Sequence, residues 1–270
     1  MRDPVLEATL QEALDAGHAV WAIGDVHGFD EPLDRLLDAL ELCEGDHVVL
    51  LGDLIDRGPH SAEVVARVRT TPNLHAIIGN HELWMVKDYR RDLLMGDLPW
   101  WGWVSVGGEE TLMSYRNLSR TRASSDEGRR AVAHDLIESD LEWIRNLPSH
   151  IVLDRWRLVH GGYHPRHPID EQRPDIHVNI RAECHLHPEP IDPLRTIVFG
   201  HTPTGRIEGG RPGHLWASEV LLDDGRPAFI GIDTSLYTCP SDDAHLTALD
   251  LSTHRSRRMP RDHQHEHGDA

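Results

Sequence analysis

The sequence predicts an α/β fold in which a parallel sheet with helical crossovers is followed by a second, more antiparallel sheet. Three observations predict it. Apolar runs at residues 19–23, 47–51 and 74–78 alternate with segments whose leucines and valines recur at helical spacing. Each run ends in a glycine-bearing turn that carries an Asp, Asn or His. Beyond residue 150 short apolar runs return, separated by Gly, Pro and Asp turns rather than by long helical patterns.

In chain order, Leu6, Leu10 and Leu14 stand four apart and predict a short amphipathic helix within residues 1–18. The strand at 19–23 runs into Gly24-Asp25-Val26-His27-Gly28, and Leu33, Leu36, Leu37 and Leu40 then mark a helix with one apolar stripe. The strand at 47–51 leads into Gly52-Asp53-Leu54-Ile55-Asp56-Arg57-Gly58-Pro59, and Val64, Val65 and Val68 mark the next helix. The strand at 74–78 ends in Gly79-Asn80-His81-Glu82, and a helix starts at Leu83-Trp84-Met85-Val86. Residues 87–147 break this rhythm: Trp100-Trp101-Gly102-Trp103, residues 105–115, the polar stretch 121–130 and a helix at 134–147 predict a helical cap or insertion. Later strands are predicted at 151–153, 156–160, 196–199, 220–222, 228–232 and 246–251. With no internal repeat or linker, residues 1–255 read as one domain and residues 256–270, rich in His, Asp and Arg, as a disordered tail.

Composition narrows the function classes. A chain of 270 residues that is 39% hydrophobic, with mean hydropathy −0.45, can bury a core and stay soluble. Its longest apolar runs are about five residues, far below the roughly 20 needed to cross a bilayer. No apolar leader follows Met1-Arg2-Asp3-Pro4, and Cys43, Cys184 and Cys239 are too few and too scattered for a disulfide framework, so a cytoplasmic protein is expected. The formal net charge of −18 argues against nucleic acid as a partner. A phosphate-bearing substrate would need metal ions or converging arginines to overcome that field.

The candidate chemistry sits at the strand ends. Asp25 and His27 lie two apart after the first strand, so in extended chain both can address one point. Asp53 follows the second strand, where its carboxylate could bridge two ions, and Asn80 follows the third. His160 in His160-Gly161-Gly162 and His201 in Gly200-His201-Thr202-Pro203 repeat the pattern later. Two Asp, three His and one Asn form a mixed oxygen and nitrogen set suited to Mn²⁺, Fe, Zn²⁺ or Mg²⁺. Each segment alone could be a solvated turn, but five coincident segments argue for a metal centre.

These blocks resemble the calcineurin-like metallophosphoesterases. Gly-Asp-x-His-Gly, Gly-Asp-x-x-Asp-Arg-Gly, Gly-Asn-His-Glu, His-Gly-Gly and Gly-His-Thr-Pro stand here in that family's order, with weaker echoes at 107–111 and 143–148. The Asp-Arg-Gly and Asn-His-Glu forms look most like the serine/threonine phosphoprotein phosphatase branch, in its small bacterial and phage form. The resemblance implies two packed mixed β-sheets flanked by helices and a pair of divalent ions, Mn²⁺ foremost. It places Asp25, His27 and a bridging Asp53 on one ion, and Asp53, Asn80, His160 and His201 on the other. It makes His81 the general acid, Asp56 its orienting partner and Arg57 a phosphate ligand. A second phosphate arginine is matched best by Arg181 in Asn179-Ile180-Arg181, where Asn stands in place of the family's Trp.

The implied reaction is direct attack of a metal-bridging hydroxide on a phosphomonoester, with a phosphorylated protein or a small phosphoester as substrate. The first alternative is a symmetrical diadenosine tetraphosphate hydrolase on the same scaffold, a branch that often lacks the acid partner represented here by Asp56. A non-catalytic binding scaffold is a remote alternative, since every ligand position is retained. His18, His47 and His75 read as structural or surface residues, and His164, His167, His177, His185 and His187 as solvated loop residues. Trp100, Trp101 and Trp103 read as core of the insertion. His263, His265 and His267 offer at most adventitious metal binding.

Overall fold

The computed structural model describes residues 1–238 and 243–261. Its helices are α1 (Pro4–Asp15), α2 (Asp30–Leu40), α3 (Ser61–Thr70), α4 (Asn80–Asp88), α5 (Gly108–Arg120), α6 (Asp126–Arg145), α7 (Pro174–Asn179) and α8 (Ala182–His185). Its strands are β1 (Val20–Ile23), β2 (His47–Leu50), β3 (Leu74–Ala76), β4 (His150–Val152) and β5 (Trp156–Val159), then β6 (Thr196–Phe199), β7 (Trp216–Ala217), β8 (Phe229–Gly231), β9 (His245–Asp250) and β10 (Ser256–Pro260). They form two five-stranded mixed sheets, ordered β10-β9-β1-β2-β3 and β4-β5-β6-β8-β7. Within the first, β1, β2 and β3 run parallel; within the second, β5, β6 and β8 do.

Strand alternation builds the layers. In β1 and β2, Trp21, Ile23, Val48 and Leu50 face the helical layer, while Val20, Ala22 and Val49 face the other sheet. The second sheet answers with Leu158, Val198 and Ile230 in the same inter-sheet core, and turns Val159, Ile197, Phe199 and Phe229 to its outer face. The strand-sized apolar runs are thus apolar throughout because both faces are buried.

Residues 87–147 supply α5 and α6, whose Leu112, Tyr115, Ile137, Leu141 and Ile144 share one core with α2, α3 and the first sheet. The expected tail is corrected at its start. Residues 256–260 form β10 and pair antiparallel with β9, because Arg257 and Arg258 can hydrogen-bond through backbone while their side chains stay in water. The tail histidines His263, His265 and His267, like Cys239, lie outside the described residues. Residues 220–222 do not form the expected strand; only a single bridge joins Leu221 to Pro227, and the sheet edge is the unforeseen β7. Among the described residues no helix is long and apolar enough to cross a membrane.

Candidate metal centre

The parallel strands of both sheets end at one place. Asp25 follows β1, Asp53 follows β2, Asn80 opens α4 after β3, His160 follows β5 and His201 follows β6. Together with His27 all are buried. The donor atoms of His27, Asp53 and His81 lie within 4.8 Å of one another, as do those of Asp53, His160 and His201. Asp53 belongs to both groups, the position expected of a bridging carboxylate.

Tight backbone makes this convergence possible. His27, Asp53, Asp56, Arg57 and His201 all take positive φ, between 49° and 74°. Left-handed backbone costs a non-glycine residue about 1 kcal/mol or more, so its concentration at one site marks geometry enforced by the surroundings. Gly79 and Gly200 allow the closest approaches: a Cβ at Gly79 would strike Asp53, and one at Gly200 would strike Oδ1 of Asp25.

Hydrogen bonds fix the orientation of the histidine rings. His27 Nδ1 donates to the Ile55 carbonyl at 2.9 Å and His160 Nδ1 to the Leu51 carbonyl at 2.7 Å. Each therefore turns Nε2 inward. His160 Nε2 faces Asn80 Oδ1 at 2.9 Å and Asp53 Oδ1 at 3.3 Å, while His201 Nε2 is buried without any partner. Burial opposes charge on His160, but Asp53 outweighs it and pushes the imidazole up to about 9. Burial, His160 and Arg181 hold His201 neutral, down to about 2. Burial and Asp233 raise Asp25 well above the usual carboxylate range. Burial also opposes ionisation of Asp53, yet His160, His81 and His27 overcome it and hold this carboxyl low. The site is a buried set of acceptors short of positive charge. A pair of divalent cations, with mixed oxygen and imidazole ligands, fits that deficit.

His81 Nδ1 lies 2.6 Å from Asp56 Oδ2, with His81 Nε2 3.9 Å from Asp53 Oδ2. Asp56 also accepts from Trp103 Nε1, at 3.0 and 2.8 Å, and from Thr111 Oγ1 at 2.6 Å. Trp103 is accordingly buried, whereas Trp100 and Trp101 are 88% and 61% exposed and do not join the core as expected. Arg57 places its guanidinium against His27 Nε2 and 3.7 Å above the centre of the half-buried Tyr237 ring. Arg181, at the solvent edge, donates to the His201 carbonyl at 2.7 Å and to Thr202 Oγ1 at 3.2 Å. The residues expected at the site stand around it, but Asp25 lies outside both donor groups, and His81 completes the first of them where Asp25 was expected.

Several neighbours escaped sequence reasoning. Glu82 accepts from the backbone N–H of Asp53, Leu54 and Gly79 at 2.8, 2.8 and 2.9 Å. Its third position in α4, a capping-box place, was the available signal. Thr111 closes the weaker family echo at 107–111, whereas Trp103 and Tyr237 carried no such signal. Asp233 did, because it follows an apolar strand as Asp25 and Asp53 do. His177 and His185 are corrected: both are buried, His177 on α7 with its ring centre 4.3 Å from that of His150 and His185 on α8 stacked 5.3 Å from Phe199.

Curated proteins resemble this chain in part. The symmetrical bis(5'-nucleosyl)-tetraphosphatase of Paracidovorax citrulli is 45% identical over 89 residues, covering 30% of this chain and 32% of that protein. The Erwinia tasmaniensis protein of the same name is 30% identical over 160 residues, covering 56% of this chain and 47% of its own. The chain thus spans from about a third to about half of the length of these relatives. Among solved structures, a candidate diadenosine tetraphosphatase superposes with a TM-score of 0.58 at 22% identity, covering 90% of this chain and 93% of that one. A protein serine/threonine phosphatase from Saccharomyces cerevisiae does so with 0.56 at 14% identity, covering 95% and 89%. At such identities these two structures establish the shared fold. Residues 18–222 match the sequence profile of the calcineurin-like phosphoesterases, a span that runs through the candidate donors from Asp25 to His201. The chain belongs to the calcineurin-like phosphoesterase family.

Proposed function

We propose that this chain hydrolyses a phosphorus–oxygen bond by direct attack of water, with two divalent ions, Mn²⁺ foremost, in the site. The observation that carries it is the His81–Asp56 pair, held 2.6 Å apart beside the carboxylate common to both donor groups. When bound, the ions supply a water acidified towards neutrality and positive charge against the phosphoryl oxygens. Asp25, His27 and Asp53 would hold one ion, and Asp53, Asn80, His160 and His201 the other. With Nδ1 engaged by Asp56, His81 can exchange a proton only at Nε2, on the Asp53 side, where it would protonate the departing oxygen. Arg57 and Arg181, at the open edge, would grip the non-bridging oxygens. No serine or cysteine nucleophile takes part, so no phosphoenzyme is expected.

Two substrate classes have support. The tetraphosphatases of Paracidovorax citrulli and Erwinia tasmaniensis favour a dinucleoside tetraphosphate, split symmetrically by water into two nucleoside diphosphates. The second class, a phosphomonoester such as phosphoserine in a protein, is favoured by His81 and Asp56 themselves. A nucleoside diphosphate leaves as a stable anion, whereas a serine alkoxide needs a proton delivered as the bond breaks.

Turnover of diadenosine tetraphosphate and of a phosphoserine peptide, side by side with Mn²⁺ and with EDTA, tests both. ADP without inorganic phosphate assigns the first class, and phosphate from the peptide assigns the second. Full activity in protein shown by metal analysis to be metal-free would overturn the mechanism.

A further inference from the structure

Five of the six parallel strands that meet at the centre contribute a residue already assigned to it. The sixth is β8. Two residues beyond its last paired position stands Asp233, and extending the Phe199–Gly231 register by two brings it level with His201. On the other side, a Cβ at Gly24 would strike the Ile232 carbonyl, so the chain entering Asp233 lies directly against the chain entering Asp25. Asp233 therefore stands between Asp25 and His201.

Its side chain is 2% exposed. Oδ1 accepts from the Ser235 N–H at 3.0 Å, within a turn where Ser235 takes φ 71°. Oδ2 is buried and has no partner, and neither has the neighbouring Ser235 Oγ. Asp25, Asp53, His160 and Arg57 are its electrostatic neighbours. The nearby guanidiniums are spent elsewhere: Arg57 lies against His27 and Tyr237, and Arg181 donates to His201 and Thr202. A buried carboxylate oxygen without a donor is costly unless a cation or a water held by one faces it.

We infer that Asp233 belongs to the metal centre and holds the ion on the Asp25 side, directly or through one water. The inference rests on the two-ion reading and adds to it. Charge balance supports it: Asp25, Asp53 and Asp233 bring three negative charges, and a hydroxide would bring the fourth, against two divalent ions.

The test is calorimetric titration of metal-free protein with Mn²⁺, comparing wild type with Asp233→Asn. Asn keeps the acceptor for the Ser235 N–H, so the turn is preserved. Wild type should bind two ions, and the variant should bind one of them about 10- to 100-fold more weakly, with the other unchanged. Two ions at wild-type affinities in the variant would overturn the inference and leave the two-ion reading intact. Fewer than two ions in wild type would overturn both. Should the variant fail to fold, a crystal structure of Mn²⁺-loaded wild type decides. Oδ2 on an ion, or on a water bound to it, supports the inference; Oδ2 bonded only to protein sinks it.

Discussion

The imidazole of His81 and the carboxylate of Asp56 meet at 2.6 Å with both side chains buried, and Trp103 and Thr111 anchor the carboxylate from the insertion at residues 87–147. Asp56 therefore cannot swing away, and His81 has one proton to give. Replacing His81 with Asn should lower kcat about 10²- to 10⁴-fold on an alkyl phosphate, where the leaving group needs protonation. The loss on p-nitrophenyl phosphate should be much smaller. Equal losses on the two substrates would remove the acid role. Asp56→Asn should lower kcat on the alkyl phosphate as well, since it alters what His81 faces.

Tyr237 holds Arg57 from below. A guanidinium 3.7 Å from the ring centre gains about 1 kcal/mol from the π face, and more where water is excluded. Tyr237→Ala should weaken inhibition by inorganic phosphate about fivefold, the factor that about 1 kcal/mol represents, while Tyr237→Phe should leave it near wild type. If Phe and Ala weaken it equally, the hydroxyl matters and the ring does not.

Glu82 is predicted to matter for stability before catalysis. Its two oxygens accept from three backbone N–H groups at 2.8–2.9 Å, on the two turns that present Asp53 and Asn80. Glu82→Ala strands those donors in the interior and should cost about 3 kcal/mol or more in urea unfolding. A loss below about 1 kcal/mol would mean that the turns hold themselves.

His150 and His177 pack with ring centres 4.3 Å apart and are buried, bonded to Tyr163 Oη and Ser149 Oγ at 3.0 Å each. Burial lowers His150 to about 2 and His177 to about 4, against 6.5 when unperturbed. The unfolded chain takes up protons below 6.5 that the folded chain refuses, so stability from these groups is full above that pH and falls as pH drops towards 4. Each refused proton removes about 1.4 kcal/mol per pH unit across that window. His177→Gln should flatten the fall of Tm between pH 6.5 and 4.5 by about one proton's worth. An unchanged slope would place the acid sensitivity elsewhere.

Most of the centre was legible because its candidate donors follow a local rule: an apolar strand, then a donor with a glycine within two positions of it. Asp25, His27, Asp53, Asn80, His160 and His201 all obey it, and so does Asp233, whose strand was recognised but whose acid was passed over. The short edge strands were less legible. Trp216–Ala217 is two residues long, and β10 carries exposed arginines instead of an apolar run, so neither shows the alternation that marks a strand.

By itself the sequence determined the succession β1-α2-β2-α3-β3-α4, the donors that follow β1, β2, β3, β5 and β6, and the family to which the chain belongs. Those properties reside in short stretches, where side-chain periodicity and turn chemistry act between neighbours. Tertiary structure alone decided what surrounds those donors. Trp103 reaches Asp56 across 47 positions, Glu82 reaches Asp53 across 29, and Tyr237 comes to Arg57 from the far end of the chain. Such contacts arise when two sheets and a helical layer pack, since burying their apolar faces fixes which distant turns share one edge.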